Sequence, residues 1–183
     1  MLDLEALANH RGSVLGLKPG ERQPAQKQFD SRVWEALRHF DPARPVFIES
    51  ESQKIGDLRV PFALIQQMRR SPCLRLDLPL DARVALLLEE YDFFVTDAAA
   101  FSDRLDALRA TRGHERVNAW QQALHDGATA QVVRELLLDH YDPSYRQSLQ
   151  RNFGSVDAPR LVLEWDGSAA ALDAAAARAI EAA

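Results

Sequence analysis

From Asp81 to about Asn152 the apolar spacing of the chain is almost wholly helical, with breaks near Asp92–Thr96, Gly113, Gly127 and Asp142-Pro143. A strand-like run stands on each side of this block. Leu74-Arg75-Leu76-Asp77-Leu78 precedes it and Arg160–Trp165 follows it. A helical block that leaves a strand and returns to one points to an α/β fold. The upstream residues agree. Phe29, Val33, Leu37 and Phe40 recur at helical spacing over Gln26 to Phe40, which Asp41-Pro42 closes. Val46-Phe47-Ile48 suits a short buried parallel strand. Pro61 suits the first turn of a helix reaching about Arg70, and Asp81 suits an N-cap. Met1 to Ala8 reads as the end of a strand. Ser168 to Ala183 is alanine-rich and suits a helix capped by Ser168. The expected architecture is a parallel sheet with flanking helices and a helical insert over about 81–152. It forms one domain, 1–167, followed by a C-terminal helix or tail, 168–183.

Composition narrows the function. Of 183 residues, 46% are hydrophobic and 27% charged, which suits a globular core rather than a disordered chain. A formal net charge of −5 argues against non-specific coating of nucleic acid, while leaving room for a local basic patch. Cys73 is the single cysteine, so there is no internal disulfide and no Cys-rich zinc site. His39, His114, His125 and His140 have no metal-ligand spacing, and no metal site is expected. The N-terminus lacks the pattern of a signal peptide, and no run approaches the ~20 apolar residues that span a bilayer. A cytoplasmic protein without a membrane partner is expected.

Four segments can carry chemistry. In Asn9-His10-Arg11-Gly12-Ser13, Arg11 offers a fork of donors, Gly12 a close backbone approach, and His10 and Ser13 further polar groups. This is a contact for a phosphate or carboxylate, or a capped surface loop. Glu49-Ser50-Glu51-Ser52 follows the Val46–Ile48 run, where carboxylates can organise magnesium or form a solvated turn. Asp3 and Glu5 lie at the corresponding end of the first run and Asp77 at that of Leu74–Leu78. Arg83, just inside a helix, is an anion site or a salt-bridge partner. Finally, Tyr141, Tyr145, Ser148, Arg151 and Asn152 combine aromatics with arginine, which suits stacking on RNA bases and contact with phosphates, or the packing of a helix end.

Several strings taken together resemble the tRNA 2-selenouridine synthase family. They are Leu2-Asp3-Leu4-Glu5 through Ser13, Gln23-Pro24-Ala25-Gln26-Lys27-Gln28-Phe29, Glu49-Ser50-Glu51-Ser52 with Ile55-Gly56, and His140-Tyr141-Asp142-Pro143 with Tyr145 and Ser148. The resemblance reaches about Ser155 and brings Gln23 and Gln26 among the candidate binding residues. It implies a rhodanese-like domain followed by a P-loop domain. It also implies replacement of the sulfur of wobble 2-thiouridine in tRNA by selenium, from selenophosphate, through an S-geranylated intermediate. This chain would be an incomplete P-loop NTPase-like domain, inactive alone, with tRNA and the absent N-terminal segment as partners. ATP or GTP and magnesium are candidate cofactors of the complete domain, and none is assigned to this chain. The sequence holds no G-x-x-x-x-G-K-S/T string, and Cys73 does not match the family's catalytic cysteine, so no catalytic residue carries over. The central strand of such a sheet would lie between Val46–Ile48 and Leu74–Leu78. Those two runs are therefore expected to have open edges or to close on each other, with poor solubility as the result. A nucleotide-kinase-like domain and a non-catalytic tRNA- or partner-binding module are the alternatives, and oligomeric state stays open.

Overall fold

Asp3 decides how the chain begins. In the computed structural model, which describes residues 1–11, 21–50 and 52–183, Leu2 alone of Met1 to Ala8 behaves as strand. It forms a parallel bridge with Ile48, and its N–H donates to Phe47 O at 2.8 Å. Asp3 Oδ1 then accepts from Ala6 N at 2.7 Å and caps helix α1, Leu4–Ala8. The expected strand end therefore lasts one residue, because an Asp cap ahead of Leu-Glu-Ala-Leu-Ala favours helix over extended chain. Asn9 closes α1 in the left-handed region, with φ of 50°.

The chain divides into two compact units. One comprises Met1–Cys73 with Ser148–Ala158 and Ala183; the other comprises Leu74–Gln147 with Pro159–Ala182. In the first unit, α2 (Gln26–Arg38) buries Phe29 and Val33 as the spacing predicts. Val46–Ile48 is not a full strand but the single bridge at Ile48. A small antiparallel hairpin, β1 (Lys54–Ile55) and β2 (Leu58–Arg59), follows. Gly56 makes its turn at φ +58°. Helix α3, Phe62–Arg70, follows Pro61. Leu2, Leu4, Phe29, Val33, Ile55, Leu58, Ile65 and Phe153 belong to one buried cluster.

In the second unit, β3 (Leu74–Asp77) runs parallel to β4 (Leu161–Glu164), with Leu74 beside Leu161 and Asp77 beside Glu164. The fold is thus mixed α/β and mostly helical, and among the described residues the broader parallel sheet expected from the alternation is two strands. Ile48 and β3, expected to have open edges or close on each other, each have another partner, Leu2 and β4.

The block between β3 and β4 is helical as its spacing requires. It contains α4 (Leu80–Glu90), α5 (Asp92–Thr96), α6 (Ala98–Leu105), a 3₁₀ turn, α7 (Arg109–Arg112), α8 (His114–His125) and α9 (Thr129–Leu136). Asp81 lies in the first turn of α4 rather than at its cap, which Pro79 takes, and its carboxylate pairs with Arg134. Trp120 is buried, with Nε1–H donating to Glu135 Oε2 at 2.9 Å, whereas Trp34 is 60% exposed. After β4, Ser168 caps α11 (Ala169–Glu181), its Oγ accepting from Ala171 N at 3.2 Å. Among the described residues no helix is long and apolar enough to cross a membrane.

Candidate functional site

Asp142-Pro143 reads as a break in the sequence, but the chain does not stop there. Proline lacks the N–H of the helical ladder, and its ring clashes with the carbonyl four residues back, here that of Asp139. The chain widens instead. Residues Leu137–Tyr141 form a π-helical turn, and α10 (Asp142–Asn152) follows directly. Such turns are uncommon and recur at functional sites.

Two arginines from other helices hold this turn. Arg83, in the first turns of α4, is bidentate on Asp142, Nη1–H to Oδ2 at 3.0 Å and Nη2–H to Oδ1 at 2.6 Å. The hydrogen bond to Asp142 holds the Arg83 guanidinium above its ordinary value, against the effect of burial. The salt-bridge role weighed for Arg83 is the one the geometry displays. Arg112, at the end of α7, donates Nε–H to His140 Nδ1 at 3.0 Å. Its Nη2 donates to His140 O at 3.3 Å and to Ser144 Oγ at 3.1 Å. His140 is held below its usual value, first by burial and then by the charge of Arg112. Tyr141 is half-buried with its ring edge-on to His140 at 6.0 Å, and Tyr145 is 49% exposed. Arg146 is exposed. Arg112 and the π-turn carry no signal that sequence spacing reveals.

The C-terminal turn of α10 carries the other candidates. Asn152 is pinned, Nδ2–H donating to Ser148 O at 2.8 Å and Oδ1 accepting from Arg69 Nη2 at 2.7 Å. Arg151 is exposed.

A second group of candidates gathers around α1. Glu49 Oε1 accepts from the N–H groups of Leu4 and Glu5, the latter at 3.0 Å. Glu49 Oε2 is buried with no partner among the described residues. Burial pushes the Glu49 carboxyl up, against the backbone N–H groups that favour its charged form. Asp3, Glu5 and Glu49 are therefore brought together, but Asp3 is occupied by its cap. Among the described residues no three His, Cys, Asp or Glu side chains gather to hold a metal ion.

His10, Gln23 and Gly56 also meet. Gln23 Nε2 donates to Ile55 O at 2.9 Å, and its Oε1 accepts from Asp57 N at 2.8 Å. A Cβ on Gly56 would stand 2.3 Å from Gln23 Oε1 and 2.9 Å from His10 Cδ2. His10 Nδ1 is buried without a partner among the described residues, and burial lowers its pKa. Gln26 exchanges two 2.8 Å bonds with the backbone of Arg59. Both glutamine amides thus hold the hairpin. Arg32, which the sequence did not single out, donates to Leu7 O at 3.0 Å. Arg11 is half-buried, while Gly12, Ser13 and Glu51 lie outside the described residues. Asp77, on β3, accepts from its neighbour Arg75 at 2.9 Å, and Cys73 Sγ lies 3.0 Å from Ser155 Oγ.

The sequence model of a family described as the tRNA 2-selenouridine synthase AAA domain matches residues 1–159. A tRNA 2-selenouridine synthase of Alcanivorax borkumensis is 32% identical over 85% of this chain and 50% of its own length. One from Marinobacter nauticus is 31% identical over 90% of this chain and 53% of its own. One from Bordetella bronchiseptica is 32% identical over 81% and 48%. The chain spans about half the length of the curated relatives it matches. No solved structure matches it.

Proposed function

The chain belongs to the tRNA 2-selenouridine synthase family, and on that premise we propose that it serves the replacement of sulfur by selenium in the wobble 2-thiouridine of tRNA. Selenophosphate would be the selenium donor and an S-geranylated nucleoside the intermediate, in the cytoplasm. Within that reaction the chain binds tRNA and does not perform the chemistry alone. It holds no G-x-x-x-x-G-K-S/T string, and Cys73, which does not match the family's catalytic cysteine, lies against Ser155. Asp3, Glu5, Glu49 and the His10 segment would belong to the nucleotide-facing side of a complete P-loop-like domain.

The observation that carries the tRNA reading is the π-turn. Arg112 bonds its backbone at His140 O, Arg83 pairs with the Asp142 carboxylate just after it, and the segment leaves Tyr145 and Arg146 exposed. An exposed aromatic beside a guanidinium suits an unpaired base and the adjoining phosphate. Electrophoretic or fluorescence titration of the chain with tRNA tests this. Tyr145→Ala is expected to weaken binding by about 1–3 kcal/mol, as loss of one stacked base does. Arg146→Ala is expected to reduce the dependence of affinity on salt by about one phosphate contact. Unchanged affinity in both variants removes the RNA role of this turn, and tight ATP binding by the chain would favour the kinase-like alternative.

A further inference from the structure

Arg112 differs from the arginines around it in what it binds. Arg83 pairs with Asp142, Arg109 with Asp106, Arg116 with Glu135 and Asp139, and Arg134 with Asp81. Arg112 donates instead to an imidazole nitrogen, a carbonyl and a hydroxyl, all neutral, and no carboxylate among the described residues lies within ion-pair distance of it. A half-buried guanidinium whose Nε and Nη2 donors meet neutral acceptors and whose charge meets no carboxylate among the described residues leaves a positive potential at the π-turn.

The same contact sets the state of His140. A guanidinium N–H can donate to Nδ1 only if Nδ1 carries a lone pair, so the neutral ring bears its proton on Nε2. Nε2 has no hydrogen-bond partner among the described residues, and it is not among the buried unpaired atoms. It is therefore an N–H donor of set direction, not fully buried, beside a positive charge with no carboxylate partner among the described residues.

We infer that His140 Nε2–H and the Arg112 guanidinium form a site for an anionic phosphate oxygen, with Arg112 as the positioning residue that sets the imidazole tautomer. This rests on the tRNA reading for its main ligand, a backbone phosphodiester; free phosphate offers the same oxygen chemistry. Hydrogen bonds alone would suit any acceptor, but the unpaired charge selects an anion.

The full 183-residue chain, labelled with ¹⁵N on histidine, is examined at pH 7 by long-range imidazole correlation. The His140 ring is expected as the Nε2–H tautomer in the wild type. Arg112→Gln is expected to lose that preference while retaining the thermal transition. A wild-type ring with its proton on Nδ1 would overturn the site outright. Titration with tRNA and, separately, with inorganic phosphate then identifies the source. A shift of the His140 Nε2 resonance with tRNA supports the phosphodiester, a shift with phosphate alone supports the free anion, and no shift with either overturns the site. In binding assays His140→Phe is expected to weaken tRNA about tenfold, in keeping with loss of one hydrogen bond to a charged group. Because the donor is neutral, the salt dependence is expected to stay the same. His140→Gln, which keeps a neutral donor, is expected to restore most of the affinity. If Tyr145→Ala weakens tRNA but His140→Phe does not and the imidazole stays silent, the tRNA reading stands and this site falls. If the imidazole answers phosphate while tRNA does not bind, the site stands and the tRNA reading falls.

Discussion

The loop region around α1 and the π-turn before α10 bury polar groups in opposite ways. Around α1, Glu49 Oε2 and His10 Nδ1 are both buried without a partner among the described residues. At the π-turn, Arg83 and Arg112 reach the carboxylate, imidazole, carbonyl and hydroxyl groups that the widened backbone presents. An unpaired buried group is costly in its charged form, so it moves toward neutrality. A paired group keeps its charge and direction. Each region holds a histidine of lowered pKa, but the first is the one open to steric change, at Gly56, whereas the second depends on its arginines. The contrast bears on function, since a site that must present a donor to a ligand needs the second arrangement.

The largest expected effect breaks the first region. Gly56→Ala adds a Cβ that would lie 2.3 Å from Gln23 Oε1, at a residue with φ of +58°. Strain at such a position costs on the order of 1–3 kcal/mol, and displacement of Gln23 from Ile55 and Asp57 adds to it. Denaturant unfolding is expected to show a loss of at least about 2 kcal/mol. A loss below about 0.5 kcal/mol would mean that Gln23 and His10 do not constrain the turn.

A smaller effect tests the second region. Arg83→Ala leaves the half-buried Asp142 without its bidentate partner and is expected to cost about 1–2 kcal/mol. Asp142→Asn in the same background should recover part of that cost. A full additive loss in the double variant would show that the pair is not coupled.

The smallest effect is a change of slope with pH, and its two parts have opposite sign. Glu49 has a raised pKa in the folded chain. Its contribution is complete below its ordinary value, about 4.3, and is lost as pH rises through the raised one. His10 has a lowered pKa. Its contribution is complete above its ordinary value, about 6.5, and is lost as pH falls through the lowered one. Glu49→Gln should flatten the first dependence and His10→Gln the second, as read from melting temperature against pH. No change in either profile would show that both groups find partners in solution.

Particular residues show how much was legible in advance. Phe29 and Val33 are buried on α2, and Ser168 caps α11, because spacing and cap chemistry act within a few residues. The same local reasoning stopped at Pro143, where it expected a break and the chain formed a π-turn. It extended the opening strand past Leu2, where Asp3 starts a helix. The family resemblance, not local spacing, made Gln23 and Gln26 binding candidates, and neither route foretold that their amides bond backbone more than thirty positions away, at Ile55 and Asp57 and at Arg59.

By itself the sequence determined the helical block, the faces of its helices, the caps, the single thiol and the family likeness. Each of these rests on the order of residues along the chain. Only the tertiary structure decided that Glu49 would meet the N–H groups of Leu4 and Glu5, that Arg83 would be tied to Asp142, and that Arg112 would govern His140. A hydrogen bond between distant residues depends on where packing places two backbones to within an ångström, and periodicity carries no record of that distance.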